Sequence, residues 1–105
     1  MASNLPLSDQ YYQAGLRWAD LDAAATLLEE SKSAYLSQRM GELGDMPVSR
    51  AEMMVKGSKD WEDYIAKMVK ARELSNRAKI ELEYVRLKFF EWNSQSATER
   101  VQARL

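Results

Sequence analysis

A stripe of apolar and small residues, spaced alternately three and four positions apart, runs through the C-terminal half of the sequence. This inner stripe consists of Trp61, Ile65, Met68, Ala71, Ser75, Ala78, Leu82, Val85, Phe89 and Trp92. Its average spacing is close to the 3.5-residue period of a helix that supercoils around a partner. Because a lone helix cannot bury such a stripe against itself, the sequence predicts helix-on-helix packing and an all-α fold.

The composition supports an ordered helical protein and excludes several kinds of chemistry. The 105 residues include only 4 Gly and 2 Pro, and 30% are charged, which is typical of long exposed helices. The absence of Cys and His excludes disulfides, thiolate catalysis, sulfur-ligated metals and the commonest general base. The sequence also has no phosphate loop, nucleophile elbow or catalytic triad. We therefore expect a non-enzymatic protein with no cofactor and no catalytic or metal-binding residues.

The N-terminal residues have neither the basic nor the apolar segment of a secretion signal, and no window approaches eighteen or more apolar residues. We therefore expect a soluble cytoplasmic protein that has no membrane partner.

The first helix is predicted over residues 8–43. Ser8 suits the position that caps the helix, and Asp9 places an acidic group in its first turn. Gly44 suits the left-handed backbone conformation just past a helix end. Gly15 lies inside this helix and costs roughly 1 kcal/mol relative to alanine, unless a neighbour packs closely on it.

A short connector helix and a second long helix follow. Ser49-Arg50-Ala51-Glu52 has the pattern of a capping box, which predicts a connector helix over 49–56. Ser58 is expected to cap the long helix over 59–93. Ser96-Ala97-Thr98-Glu99 has the same capping pattern, so that helix either continues or restarts, up to 104.

Two long helices joined by a compact connector predict a single domain over 1–105, a coiled-coil-like antiparallel hairpin. We predict that facing residues have numbers that sum to about 102 or 103, since this register packs small residues together in the middle. The resulting pairs are Ala24 with Ala78, Leu28 with Leu74, Leu21 with Leu82 and Trp18 with Val85.

A second apolar face on the long C-terminal helix lies well away from the inner stripe. This outer stripe consists of Ile80, Tyr84, Leu87 and Phe90, with Val69 near the same line. In a two-helix hairpin, the first helix can cover only one of these two faces. We therefore expect a homodimer that joins two hairpins into a four-helix arrangement through the outer stripe. In the alternative, these residues pack on the broad face of the first helix.

Three methionines, Met46, Met53 and Met54, cluster on the connector, where a thin hairpin can bury little. Methionine side chains adapt to differently shaped partners. We expect this tip to bind an unidentified protein.

A row of basic residues on the long helix consists of Lys59, Lys70, Arg77 and Lys88, which share one helical face next to Tyr84. Contact with nucleic-acid phosphates is one interpretation. Asp63 and Glu81 interrupt the row and the net charge is −1, so we favour a solvated face of mixed charge.

Several segments resemble a group of small phage and prophage proteins. They are Gly44-Asp45-Met46-Pro47-Val48-Ser49-Arg50-Ala51-Glu52, Lys79-Ile80-Glu81-Leu82-Glu83-Tyr84, Phe90-Glu91-Trp92 and Ala97-Thr98-Glu99-Arg100. Proteins of this group are short, helical and often encoded near recombination or single-strand annealing functions. The resemblance implies a phage adaptor or accessory protein in DNA recombination or replication, located in the cytoplasm of the bacterial host. It supplies no catalytic motif, and nucleic-acid binding remains the alternative function.

Overall fold

The computed structural model describes residues 5–104, which form four α-helices and no β-strand. α1 spans Leu7–Glu30, α2 Lys32–Gly41, α3 Val48–Lys56 and α4 Lys59–Arg104. The molecule measures 83 × 23 × 15 Å, and its radius of gyration is 23.0 Å. A compact domain of this length would have a radius of gyration of about 13 Å. The four helices confirm the all-α prediction. The large radius of gyration shows that the molecule is strongly elongated.

α1 and α2 divide the predicted helix over 8–43 into two consecutive helices. Ser31 separates them, yet its backbone stays in the right-handed helical region (φ −84°, ψ −6°), and its N–H donates to the Leu27 carbonyl oxygen at 3.0 Å. The second helix ends at Gly41, and Gly44 then adopts a positive φ of 76°. The left-handed conformation predicted for Gly44 is thus confirmed.

Two of the predicted caps are wrong, because a proline precedes each helix. α1 begins directly after Pro6 and α3 directly after Pro47, so neither Ser8 nor Ser49 occupies the capping position. Each proline carbonyl accepts a backbone hydrogen bond of 3.0 Å from the first turn. A proline needs no partner for an N–H group, and its fixed φ suits the chain just before a helix.

The predicted cap of the long helix is confirmed. The Ser58 hydroxyl accepts a hydrogen bond from the Trp61 N–H at 3.2 Å and donates one to the Val55 carbonyl oxygen at 2.6 Å. The 46-residue α4 continues without interruption through the second predicted capping box. At 1.5 Å per residue it is about 69 Å long.

α4 runs antiparallel to α1, but the predicted register is wrong. Gly15 lies near Leu82, the Lys79 ammonium group lies 5.9 Å from the centre of the Trp18 ring, and the Ser75 hydroxyl donates to Asp22. Relative to the prediction, the facing positions on α4 are shifted toward its N-terminus, by about five or six residues at these contacts and by two or three where Tyr11 contacts Phe89.

The buried residues explain this register. Ala14 and Ala25 of α1, and Ser75 and Ala78 of α4, are almost fully buried, so small side chains let the two backbones approach closely. The predicted register would bury Ala24 against Ala78 and Leu74 against Leu28. In the structure, Ala24 and Leu74 are exposed. The prediction that small residues meet in the middle is correct, but the residues at the closest contact are Ala25 and Ser75 rather than Ala24.

Two glycine substitutions should change stability in opposite directions. A Cβ atom added at Gly15 would lie 3.9 Å from Leu82 Cδ1, an ordinary contact, so Gly15→Ala should raise the free energy of unfolding by about 0.5–1 kcal/mol. Gly44→Ala should lower it by about 1–2 kcal/mol because of the positive φ. Urea denaturation followed by circular dichroism measures both changes. A loss of stability in Gly15→Ala would contradict the described α1–α4 contact.

Candidate interaction surfaces

The outer stripe is exposed in the single chain. The accessible fractions are 70% for Ile80, 60% for Tyr84, 64% for Leu87 and 51% for Phe90. These residues lie on the side of α4 away from Ser75 and Ala78, which are buried against α1. The alternative prediction, that they pack on the first helix, is therefore wrong, since α4 has two apolar faces and α1 covers only one.

The exposed apolar surface forms two adjoining shallow grooves along α4. Asn76, Lys79, Ile80, Glu83, Tyr84 and Leu87 line one of them. Asn76 and Ile80 also line the neighbouring groove, which continues toward Met68 and Val69. A surface of this kind, apolar along its floor and charged along its edges, is typical of a protein-binding face.

Charged side chains frame the outer stripe. The Lys88 ammonium group lies 5.2 Å from the centre of the Tyr84 ring, and the Arg86 guanidinium lies 5.4 Å from that of Phe90. Arg86 also forms an ion pair with Glu83 at 3.0 Å. These cation–π contacts hold the two rings along the helix surface.

An aromatic cluster fixes α2 to the start of α4 and so positions the connector. The rings of Tyr35 and Tyr64 stack with their centres 4.4 Å apart, and Trp61 stacks beside both. The Tyr64 hydroxyl donates to the Leu28 carbonyl oxygen at 2.5 Å. The sequence pattern places Trp61 on the inner stripe but does not reveal the cluster, because neither Tyr35 nor Tyr64 belongs to that stripe.

The methionine tip is partly exposed. Ala51 and Val55 are buried, whereas Met53 and Met54 of the same helix are exposed, and Met46 is half-buried before α3. The structure therefore presents two of the three predicted methionines on the outer side of the connector.

Arg72 joins the two long helices through a polar network that sequence analysis missed. Its guanidinium donates to Asp22 at 2.7 Å and to both carboxylate oxygens of Glu29 at 2.6 and 2.9 Å. The buried Ser75 hydroxyl completes the network by donating to Asp22 at 3.2 Å. Asp22 and Glu29 are seven residues apart on α1, a spacing that places them on one helical face and could have indicated a shared partner.

The same network shifts the pKa of all three ionisable groups. The hydrogen bond from Arg72 lowers the pKa of Asp22 and that of Glu29, against a smaller opposing effect of burial. Hydrogen bonds to Glu29 and Asp22 raise the pKa of Arg72. Each charge is therefore held in its ionised form by its partner, as in a structural ion pair.

The predicted basic row shares one face of α4, but two neighbouring carboxylates pair with three of its four cations and balance half of its charge. Lys59 pairs with Asp63 at 3.1 Å, while Lys70 and Arg77 lie 3.6 and 3.2 Å from Glu73. The fourth member, Lys88, lies over the Tyr84 ring. Phosphate binding along this row would have to compete with these three ion pairs.

Within residues 5–104, no three acidic side chains are grouped so that they could hold a metal ion. Nor is any helix in that range both long enough and apolar enough to cross a membrane. Comparisons with protein families, curated proteins and solved structures give no match for this chain. The exposed surfaces of α4 and α3 are therefore the features of this chain that bear on its function.

The Arg72 network should make folding sensitive to acid. The lowered pKa values of Asp22 and Glu29 lie below their ordinary values of 3.8 and 4.5, so the unfolded chain binds more protons in that range. Their contribution to stability is present above those ordinary values and is lost as the pH falls through the lowered ones. Arg72→Met should destabilise the protein at neutral pH and flatten its acid dependence, as measured by thermal unfolding from pH 7 to 2.

Arg17→Met is the matched control, because it removes a more exposed pair with Glu81, at 2.8 Å, between the same two helices. It should change the acid dependence less. If thermal unfolding of wild type and of Arg72→Met depended on pH in the same way, a role of the network in folding would be contradicted.

Proposed function

We propose that this chain is a non-enzymatic adaptor or accessory protein that forms a homodimer through the outer stripe and binds a second protein at the methionine tip. The observation that carries the proposal is the continuous exposed apolar surface on α4, formed by Ile80, Tyr84, Leu87 and Phe90. Apolar surface of this extent on one face of a rigid helix is costly to leave in water. A protein partner that covers it removes that cost.

The structure supports a binding role in two further ways. The polar network at Arg72 consists of ion pairs and hydrogen bonds that hold α1 and α4 together, so we assign it a structural role and not a catalytic one. The extended shape also separates the outer stripe from the connector, so two partners could bind without competing for the same surface. An adaptor needs this separation.

The biological setting of the proposal rests on the sequence resemblance alone. The small phage and prophage proteins that the chain resembles imply a role in phage DNA recombination or replication, inside the bacterial host. Direct nucleic-acid binding along the basic row is the less favoured function, because Asp63 and Glu73 already pair with three of its four cations.

Tyr84→Asp should convert a dimer into a monomer. The substitution places a carboxylate in the middle of the outer stripe, where pairing would bury it. Light scattering coupled to size-exclusion chromatography should give twice the chain mass of 12.1 kDa for wild type and the single-chain mass for the variant. Tyr12→Asp is the matched control, since Tyr12 is similarly exposed but lies on α1; it should remain dimeric. A monomeric, soluble wild type would refute the dimer.

Aspartate substitutions at the methionine tip should abolish capture of the second protein. Met53→Asp with Met54→Asp changes the exposed methionines of α3, while the buried Ala51 and Val55 are retained. Val48→Asp is the matched control, being exposed on the same helix. With immobilised protein and extract from a phage-infected host, we expect wild type and Val48→Asp to retain a common protein that the double variant loses. Retention by all three would contradict a binding role of the tip.

A further inference from the structure

We infer that the outer stripe is covered by α4 of a second copy of this chain, lying antiparallel, with the twofold axis level with Val85 and Tyr84 beside the contact. This inference rests on the proposed dimerisation and specifies its geometry. It follows from the spacing, the charges and the length of α4.

Ile80, Leu87 and Phe90 of the outer stripe are part of a longer seam made of two rows, each repeating every seven residues along α4, and Tyr84 lies beside this seam. One row contains Glu73, Ile80, Leu87, Ser94 and Val101, and the other contains Val69, Asn76, Glu83, Phe90 and Ala97. All ten residues are exposed in the single chain. Alternate spacings of four and three between the rows match the seam of a two-stranded coiled coil. α4 therefore has a second helix-binding seam, on the side away from α1.

The charges on this seam disfavour a parallel pair of α4 helices. In a parallel pair each row faces itself, so Glu73 would face Glu73 of the second copy, and Glu83 would likewise face its own counterpart. Like charges facing each other at a seam oppose association. An antiparallel pair avoids both contacts because each row then faces the other row.

One antiparallel register pairs all ten seam residues of the two copies, six of them like with like; the other four form the pairs Glu73 with Ala97 and Glu83 with Leu87. With Val69 opposite Val101 of the second copy, Ile80 faces Phe90 and Asn76 faces Ser94. Beside the seam, Arg77 then lies near Glu91 of the second copy, which gives two opposite-charge contacts per dimer. Pairing a polar residue with a polar one inside an otherwise apolar seam is a known means of fixing register.

Shifting this register by one heptad in either direction loses these matches. One shift places Ile80 against Glu83 and Leu87 against Asn76. The other places Asn76 against Val101 and Ser94 against Glu83, and it moves Val69 past the described end of α4. Either shift also leaves two residues at one end of each seam without a seam partner. The register centred on Val85 is therefore the one that keeps all ten seam residues paired.

The length of α4 supports the same arrangement. Leu5 to Ser8, at the start of α1, line a cavity with Phe89 and Trp92, and α4 continues past this point for residues 93–104. Of these twelve residues, all except the half-buried Ser96 are exposed. In the inferred dimer this extension of each copy lies along residues 69–76 of the other, so its apolar residues become covered.

The exposed area is sufficient for such an interface. The chain exposes 8111 Å², whereas a compact monomer of its mass would expose about 6,000 Å². A standard protein interface buries about 800 Å² on each partner. The excess of about 2,000 Å² reflects the elongated shape of the chain, and one such interface would remove less than half of it.

Disulfide trapping tests the register directly, because the natural chain has no cysteine. Val69→Cys and Val101→Cys, combined in one chain, place two thiols on one rigid helix about 48 Å apart, far beyond the reach of an intramolecular disulfide. After mild oxidation, the double variant should run as a covalent dimer on a non-reducing gel. Each single variant should stay monomeric there, since its cysteine faces a valine of the second copy.

The control is Val48→Cys combined with Val101→Cys, since Val48 is exposed on α3, away from the seam. It should not form the covalent dimer. Covalent dimers from Val69→Cys alone would overturn the antiparallel orientation. A double variant that is dimeric by light scattering when reduced, yet is not trapped on oxidation, would overturn the register while leaving the proposed dimer intact. A monomeric wild type would refute both the register and the proposed dimer.

Discussion

The closest approach of α1 and α4 occurs at small buried side chains, among them Ser75 and Ala78 of α4, and it determines which residues of the long helix are buried. Arg72 reaches from α4 to Asp22 and Glu29 of α1 and holds the two helices in this register. Since a helix turns by about 100° per residue, the positions half a turn away must then face outward. Ile80, Tyr84 and Leu87 occupy those positions. The exposed outer stripe is thus a direct geometric consequence of the register between α1 and α4.

The thin α1–α4 contact also explains why the chain has so much exposed apolar surface. Small side chains such as Ala14, Ala25 and Ala78 let the helices approach closely but bury little apolar area themselves. The larger apolar residues lie at the edges of the contact or on the far side of α4. A two-layer hairpin has no third layer to cover them. Further helices, supplied by another chain, are the natural way to complete such a core.

The sequence was sufficient to predict the helical class, the long C-terminal helix, the Ser58 cap and the glycine turn at Gly44. These features depend on local spacing and on single residues with strong conformational preferences. The register depended on information that local patterns do not contain: the polar network at Arg72, and the close contact at alanine and serine. The predicted starts of the first helix and of the connector helix are each one residue late. Pro6 and Pro47, rather than Ser8 and Ser49, directly precede the first turns. For the candidate surfaces, residue types and spacing identified the outer stripe, whereas the aromatic cluster of Tyr35, Trp61 and Tyr64 required the folded arrangement.

The two apolar seams of α4 give the helix two tasks that need different partners. The inner stripe packs on α1 of the same chain, and polar contacts such as Arg72 with Glu29 fix that alignment at neutral pH. The outer seam has no such intramolecular partner, and its matched pairs, Val69 with Val101, Asn76 with Ser94 and Ile80 with Phe90, are centred on Val85. A seam that is symmetric about one residue is complementary to itself when reversed, which is the requirement for an isologous twofold interface. In the proposed dimer, therefore, folding of the hairpin and association of two chains stabilise the same helix, and stability would rise with protein concentration by mass action.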